Sequence, residues 1–156
     1  MIRCALDSDL QRLRDLLSQV LEIHARIRPD VFISGTRKYT DEELQELIHD
    51  DTRPIWVWTD ETDTVQGYAF CMIKEPVDSP SLYPQRSVYI DDLCVDENCR
   101  GRHIGSDLFA YVKDKAKEMG CTSVTLNVWE GNDSARQFYE DQGLSPQKTT
   151  MEMTID

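Results

Sequence analysis

The alternation of apolar and polar positions divides the chain into elements of two periods. Met1–Leu6 predicts a short first strand. Leu10, Leu13, Leu16, Leu17, Val20 and Leu21 then repeat at helical spacing, behind the N-cap candidates Asp7-Ser8-Asp9, and predict a helix to about Ile27. Arg28-Pro29 ends it. Asp30–Lys38 reads as a loop with Phe32 and Ile33 as apolar plugs, and Thr40 with Glu43 has capping-box spacing for a short helix to His49. Pro54–Thr59 and Val65–Lys74 read as a hairpin across the polar stretch Asp60–Thr64. The proline-bearing stretch Glu75–Gln85 is a longer loop. Val88–Val95 is a strand, Ile104–Met119 a helix stopped by Gly120, and Thr122–Trp129 a β-branched strand. Asn132-Asp133-Ser134 caps a last helix to Gln142, closed by Gly143, and Thr149–Ile155 predicts a final strand.

This order, β-α-α-β-β-β-α-β-α-β, predicts a mixed α/β sheet of about six to seven strands flanked by about four helices. Helical crossovers after Val88 make its central strands locally parallel. No repeat or linker interrupts the chain, so residues 1–156 read as a single domain.

The stretch between the Val88 strand and the next helix carries the chemistry. Arg100-Gly101-Arg102-His103-Ile104-Gly105-Ser106 is basic, contains glycine and opens a helix. Free N–H groups and the positive end of a helix dipole make such a loop an anion cradle, with phosphate or pyrophosphate as the expected ligand. A tight structural connection is the competing reading. The Gly-Lys-Ser/Thr ending of a Walker loop and the G-x-G-x-x-G spacing of a dinucleotide fold are both missing.

Charge and composition narrow the partners. The net charge is −12, with 40% hydrophobic and 29% charged residues. A chain this acidic lacks the basic footprint that nucleic acid requires, and its field favours cationic small molecules. No apolar run reaches membrane length, and the start Met1-Ile2-Arg3-Cys4-Ala5-Leu6-Asp7 has no signal-peptide core, so the expectation is a cytoplasmic protein without membrane contacts. Cys4, Cys71, Cys94, Cys99 and Cys121 form no C-x-x-C pair, and His24, His49 and His103 are scattered. Reduced thiols and no metal are expected.

Two blocks carry a family resemblance. Arg100 and Gly105 match the outer positions of the pattern Arg/Gln-x-x-Gly-x-Gly/Ala, and Asn132-x-x-Ala135-x-x-Phe138-Tyr139-Glu140-x-x-Gly143-Leu144 matches a second pattern, Asn-x-x-Ala-x-x-(apolar)-Tyr-Glu-x-x-Gly-Phe. Together, over Val88–Leu144, they resemble the GNAT superfamily of acyl-CoA-dependent N-acyltransferases. His103 departs from the pattern at its middle glycine. The resemblance implies a GNAT fold and acetyl-CoA as co-substrate, lying where the strands Val88–Val95 and Thr122–Trp129 splay apart. It places pyrophosphate on the amides of Arg102–Ser106, the pantetheine arm along the backbone of Leu93, Cys94 and Val95, and a further hydrogen bond at Asn132.

The reaction so implied is acetyl transfer to a primary amine of a small molecule or peptide. Tyr139 matches the family's tyrosine and is the expected general acid toward the leaving thiolate. For the base, period-two alternation puts Asp91 on the face of Leu93 and Val95 and turns Asp92 away, so Asp91 is preferred. Ordered water is an alternative to either. His24, Arg28, Tyr83 and Trp129 are candidates for the acceptor pocket. Another acyl donor or acceptor, a non-catalytic acyl-CoA-binding module and a homodimer all stay open at this point.

Overall fold

A computed structural model describes all residues, 1–156. The element order is β1 (Ile2–Cys4), α1 (Leu10–Ile27), α2 (Asp41–Ile48), β2 (Ile55–Thr59), β3 (Val65–Lys74), β4 (Ser87–Val95), α3 (Ile104–Glu118), β5 (Ser123–Leu126) and α4 (Asp133–Asp141), with short 3-10 turns at Asp7–Asp9 and Glu97–Cys99. The strands form one sheet in the order β1-β2-β3-β4-β5. The first three pairings are antiparallel, and β4 with β5, joined through α3, is parallel. The sheet thus has five strands where six to seven were expected. Thr149–Ile155 is not a strand, and Asn127–Trp129 leave the sheet after β5.

Strand alternation sends side chains to two cores. Ile55, Val57, Tyr68, Phe70 and Cys94 face α1 and α2, where they meet Leu13, Leu16 and Leu44. Trp56, Ala69, Cys71, Val88 and Ile90 face α3 and meet Phe109, Val112 and Ala116. Leu13, Leu16, Leu44 and Leu108 have no exposed surface, and burial of such a side chain contributes about 2 kcal/mol. The capping box of α2 is present: Glu43 N–H donates to Thr40 Oγ1 and Thr40 N–H to Glu43 Oε1, both at 3.1 Å. Gly67 allows α3 to approach β3, since a Cβ there would lie 3.0 Å from both the Cys94 carbonyl and Ile104 Cγ2. All five cysteines are free thiols. No helix is long and apolar enough to cross a membrane.

One irregularity shapes the rest of the molecule. Cys71 faces Ile90 and Phe70 faces Asp92 across the β3–β4 ladder, so Asp91 has no partner and forms a bulge. The parallel pairing of β4 with β5 stops at Ile90 and Leu126, immediately before that bulge. Bulges bend a strand and add twist. Here the bend carries Leu93–Val95 away from Asn127–Trp129 and opens a gap between two neighbouring strands.

Candidate active site

The gap widens into a cleft of about 1010 Å³, bounded by α1, the loop before α2, the second half of β4, the loop entering α3, Leu126–Trp129 and α4. Asp91, Leu93, Cys94, Val95, Arg100, Gly101, His103, Ile104, Gly105, Ser106, Asn132 and Tyr139 all line it. Residues separated by up to 48 positions are thereby brought to one surface. Of the candidate acceptor residues, His24 and Trp129 line the cleft, whereas Tyr83 stands 90% exposed elsewhere. Arg28 lies over the Trp129 ring, 5.1 Å from its centre. Phe32 packs between His24 and Trp129, while its expected companion Ile33 is largely exposed at the cleft wall.

At the mouth, the turn after β4 is fixed by charge. Arg12 spans from α1 to Asp96 and donates from Nε to the Val65 carbonyl at 2.8 Å, and Asp96 Oδ1 accepts from Asn98 N–H at 3.0 Å. Although burial opposes it, the Arg12 guanidinium holds Asp96 below the usual carboxylate range. The chain then enters α3 through Gly101 (φ 80°) and His103 (φ 62°). The backbone N–H groups of Gly101 to Ser106 find no acceptor within the chain; the first amide of α3 that does is Asp107, bonded to the His103 carbonyl at 3.0 Å. Successive unpaired amides at a helix start form an anion nest. Arg100 borders it, whereas the Arg102 side chain is exposed outside the cleft wall and only its amide belongs to the row. The Ile104 side chain is buried beneath the loop. Gly105 is needed for close packing, since a Cβ there would meet the Phe138 ring at 3.2 Å. Ser106 Oγ accepts from Gln142 Nε2 at 3.2 Å, a link between α3 and the end of α4 that no sequence motif signals.

The bulge corrects the expected orientation of the two aspartates. Leu93 packs toward α3, as does Val95, whose Cγ2 lies 3.6 Å from a Cβ built on Gly105. Cys94 faces α1. Asp92 shares the α1 side with Cys94, and its Oδ2 accepts from the buried Tyr68 hydroxyl at 2.8 Å. Asp91, expected beside Leu93 and Val95, instead meets Lys38 Nζ at 2.9 Å and lies 3.4 Å from the Tyr39 hydroxyl, on the α1–α2 side. The extra residue shifts the period of the strand by one, so two successive carboxylates reach the same side. Lys38, in a loop without periodicity, is the partner that the pattern did not reveal.

Electrostatics differ across the cleft. Burial raises the Asp92 pKa to about 6, against the opposing hydrogen bond from Tyr68. Burial, and then the negative potential of Asp92, push the Tyr139 phenol well above its usual value, so it stays protonated at neutral pH. Burial, with Lys38 adding to it, lowers the pKa of His24. Burial likewise pushes the Cys94 thiol up to about 12, and its Sγ lies 3.7 Å from the Leu16 carbonyl, so it is a packing thiol rather than a nucleophile. Asn132 caps α4 through Oδ1, accepting from Ala135 N–H at 3.4 Å, which leaves its amide N–H₂ unengaged.

A profile of the acetyltransferase (GNAT) family matches residues 17–144, and the chain belongs to that family. Its structure superposes on a crystal structure of a mutant BH1408 protein from Bacillus halodurans with a TM-score of 0.95, at 30% identity, over 99% of both chains. An aminoglycoside acetyltransferase from an uncultured soil metagenomic sample shares the fold, with a TM-score of 0.73 at 21% identity over 100% of this chain and 96% of that one. Glucosamine 6-phosphate N-acetyltransferase of Arabidopsis thaliana is 32% identical over 68 residues, 44% of each protein. Thialysine N-epsilon-acetyltransferase of Bos taurus is 32% identical over 65 residues, 42% of this chain and 38% of the relative. The chain thus matches less than half the length of these curated relatives.

Proposed function

We propose that the protein is an N-acetyltransferase that moves the acetyl group of acetyl-CoA to a primary amine by direct attack, with both substrates held at once. The observation that carries this reading is the row of unpaired amides from Gly101 to Ser106, opening onto the cleft that also holds Asp91, Asp92 and Tyr139. Acetyl-CoA supplies the activated thioester. The amide row and Arg100 hold its pyrophosphate, and the edge of Leu93–Val95 left bare by the splay pairs with the amide-bearing arm as an added strand. Asn132 offers its unengaged amide N–H₂ to the same ligand.

Proton handling follows from the charge pattern. An alkylamine arrives protonated and has to lose a proton before it attacks. Asp91 already attracts one ammonium, that of Lys38, and one of its oxygens is free of that contact. In this reading it receives the acceptor's ammonium and takes its proton, with Asp92 beside it as the second carboxylate. A Val95 N–H facing the gap stabilises charge developing on the acyl oxygen. Tyr139 retains its proton until the sulfur departs and then donates it. The named relatives are a glucosamine 6-phosphate and a thialysine acetyltransferase, which supports a small amine as acceptor class, and the net charge of −12 favours a cation.

Thiol release from acetyl-CoA in the presence of an amine panel tests the reading. Amine-dependent release with a matching N-acetyl product is the expected result. Tight acetyl-CoA binding without release across the panel would make the protein a binding module instead.

A further inference from the structure

Lys38 is the one lysine among the residues that line the cleft. It comes from the loop between α1 and α2, and that loop is tied down on both sides of it. Before it, Glu22 on α1 accepts from Ser34 Oγ at 2.6 Å and from the Gly35 N–H at 2.7 Å. After it, Tyr39 packs against the core with its ring stacked on Phe70, and Thr40 opens α2 through the capping box. A side chain whose backbone is held at both ends has already lost much of the freedom that delivery to a reacting group costs. Lys38 Nζ lies 2.9 Å from Asp91 Oδ2 and 5.3 Å from the centre of the Tyr39 ring.

This amine stands where an acceptor's amine has to stand. An ammonium bound to the carboxylate that removes protons is the arrangement from which acylation of an amine starts. Burial lowers the Lys38 pKa, and Asp91, Tyr39 and Asp92 together more than reverse it, so Lys38 waits as an ammonium. Asp92 acts on the Tyr139 phenol as well, second only to burial. Amine, carboxylates and phenol thus share one electrostatic neighbourhood in one cleft.

We propose that the protein acetylates itself on Lys38, which makes this side chain an internal acceptor and a competitor of the external one. The inference rests on the reading above, with acetyl-CoA as donor and Asp91 as base. Lys38 Nζ loses a proton to Asp91 and attacks the thioester carbonyl. The N–C bond forms, the C–S bond breaks, and Tyr139 protonates the departing thiolate. The second proton lost by the nitrogen restores the phenol. The products are N-acetyl-Lys38, the free thiol of CoA and one proton released through Asp91. The amide so formed is neutral, and its ion pair with Asp91 is gone.

Peptide mass mapping of the full chain, incubated without amine in saturating acetyl-CoA that carries an isotope-labelled acetyl group, tests this. Lys38 should take up one label at least about tenfold faster than the exposed Lys113, Lys117 and Lys148. The fraction labelled at a given time should not change over an about 100-fold dilution of the protein, because the reaction stays within one copy. Tyr139→Phe should slow the labelling by roughly 10²-fold, and an amine that is turned over should slow it by competing for Asp91. Equal labelling of all lysines, labelling that slows on dilution, or a Lys38 rate untouched by Tyr139→Phe would each overturn the inference. An unlabelled Lys38 in a protein that turns over an amine overturns self-acetylation alone and leaves the acetyltransferase reading in place. Absence of both turnover and acetyl-CoA binding takes down the two together. The wild-type rates decide the matter even where the variant fails to fold.

Discussion

The hydroxyl of Tyr68, which has no exposed surface, donates to Asp92 Oδ2 at 2.8 Å and fixes the carboxylate in the wall of the cleft. A single hydrogen bond does not offset the cost of holding that charge away from water, which is why burial carries the Asp92 pKa up to about 6. The unfolded chain binds this proton less tightly. The native state therefore gains from it fully below about pH 4, and the gain is lost as pH rises through 6. Asp92→Asn removes the dependence, so the variant should be more stable than wild type at pH 7.5, by about 3 kcal/mol from the shift, and should show little advantage at pH 4. Thermal melts of both proteins across that range check the sign.

Tyr139→Phe separates chemistry from packing. The ring stays against Phe138, 5.2 Å between centres, so the melting temperature and cofactor affinity should barely move. Turnover should fall by roughly 10²-fold, and the deficit should shrink with an acyl donor whose thiol is more acidic. Full turnover in the folded variant would end the general-acid role.

The two loop arginines should behave differently. Arg100 borders the row of free amides, whereas the Arg102 side chain lies outside the cleft wall. Arg100→Ala should weaken acetyl-CoA binding by about tenfold, the size of one charge-assisted contact, and should leave a phosphate-free pantetheine fragment unaffected. Arg102→Ala should change either ligand far less. Calorimetric titrations of the four combinations suffice, and equal weakening of both ligands by Arg100→Ala would make the loop merely structural.

His103 occupies the left-handed region at φ 62°, and its side chain makes no cap hydrogen bond. The relief that glycine brings there is offset by the freedom it gives the unfolded chain. His103→Gly should therefore stay within about 1 kcal/mol of wild type, with acetyl-CoA affinity equal or tighter. His103→Val, β-branched in the same conformation, should lose more than about 1 kcal/mol. Denaturant titrations of the pair measure the difference.

What was legible in the sequence is what nearest neighbours along the chain determine. The capping box of Thr40 and Glu43, the hairpin of Ile55–Lys74 and the glycine after α3 depend on local chemistry, and each is where the pattern placed it. That the loop from Arg100 to Ser106 and Tyr139 border one cleft was readable because a motif compresses tertiary geometry into spacing. The bulge at Asp91 was not readable, since it arises from the register of β4 against β3 rather than from β4 itself. Lys38 reaches Asp91 across 53 positions from a loop with no period. The strand expected at Thr149–Ile155 failed for a third reason: strand propensity specifies a pairing-competent segment but not where its pair lies.

Asp91 is the one residue of β4 that the sheet does not need. Excising it from the chain would leave Ile90 opposite Cys71 and Asp92 opposite Phe70, with every remaining side chain on its present face. Excising Asp92 instead gives the identical chain, since the two neighbours are the same residue. A one-residue deletion at 91 is thus expected to yield a folded protein with a straighter β4, a closed gap and no place for a cofactor arm. Fold and function come apart at a single codon, and the architecture without an active site is one deletion away.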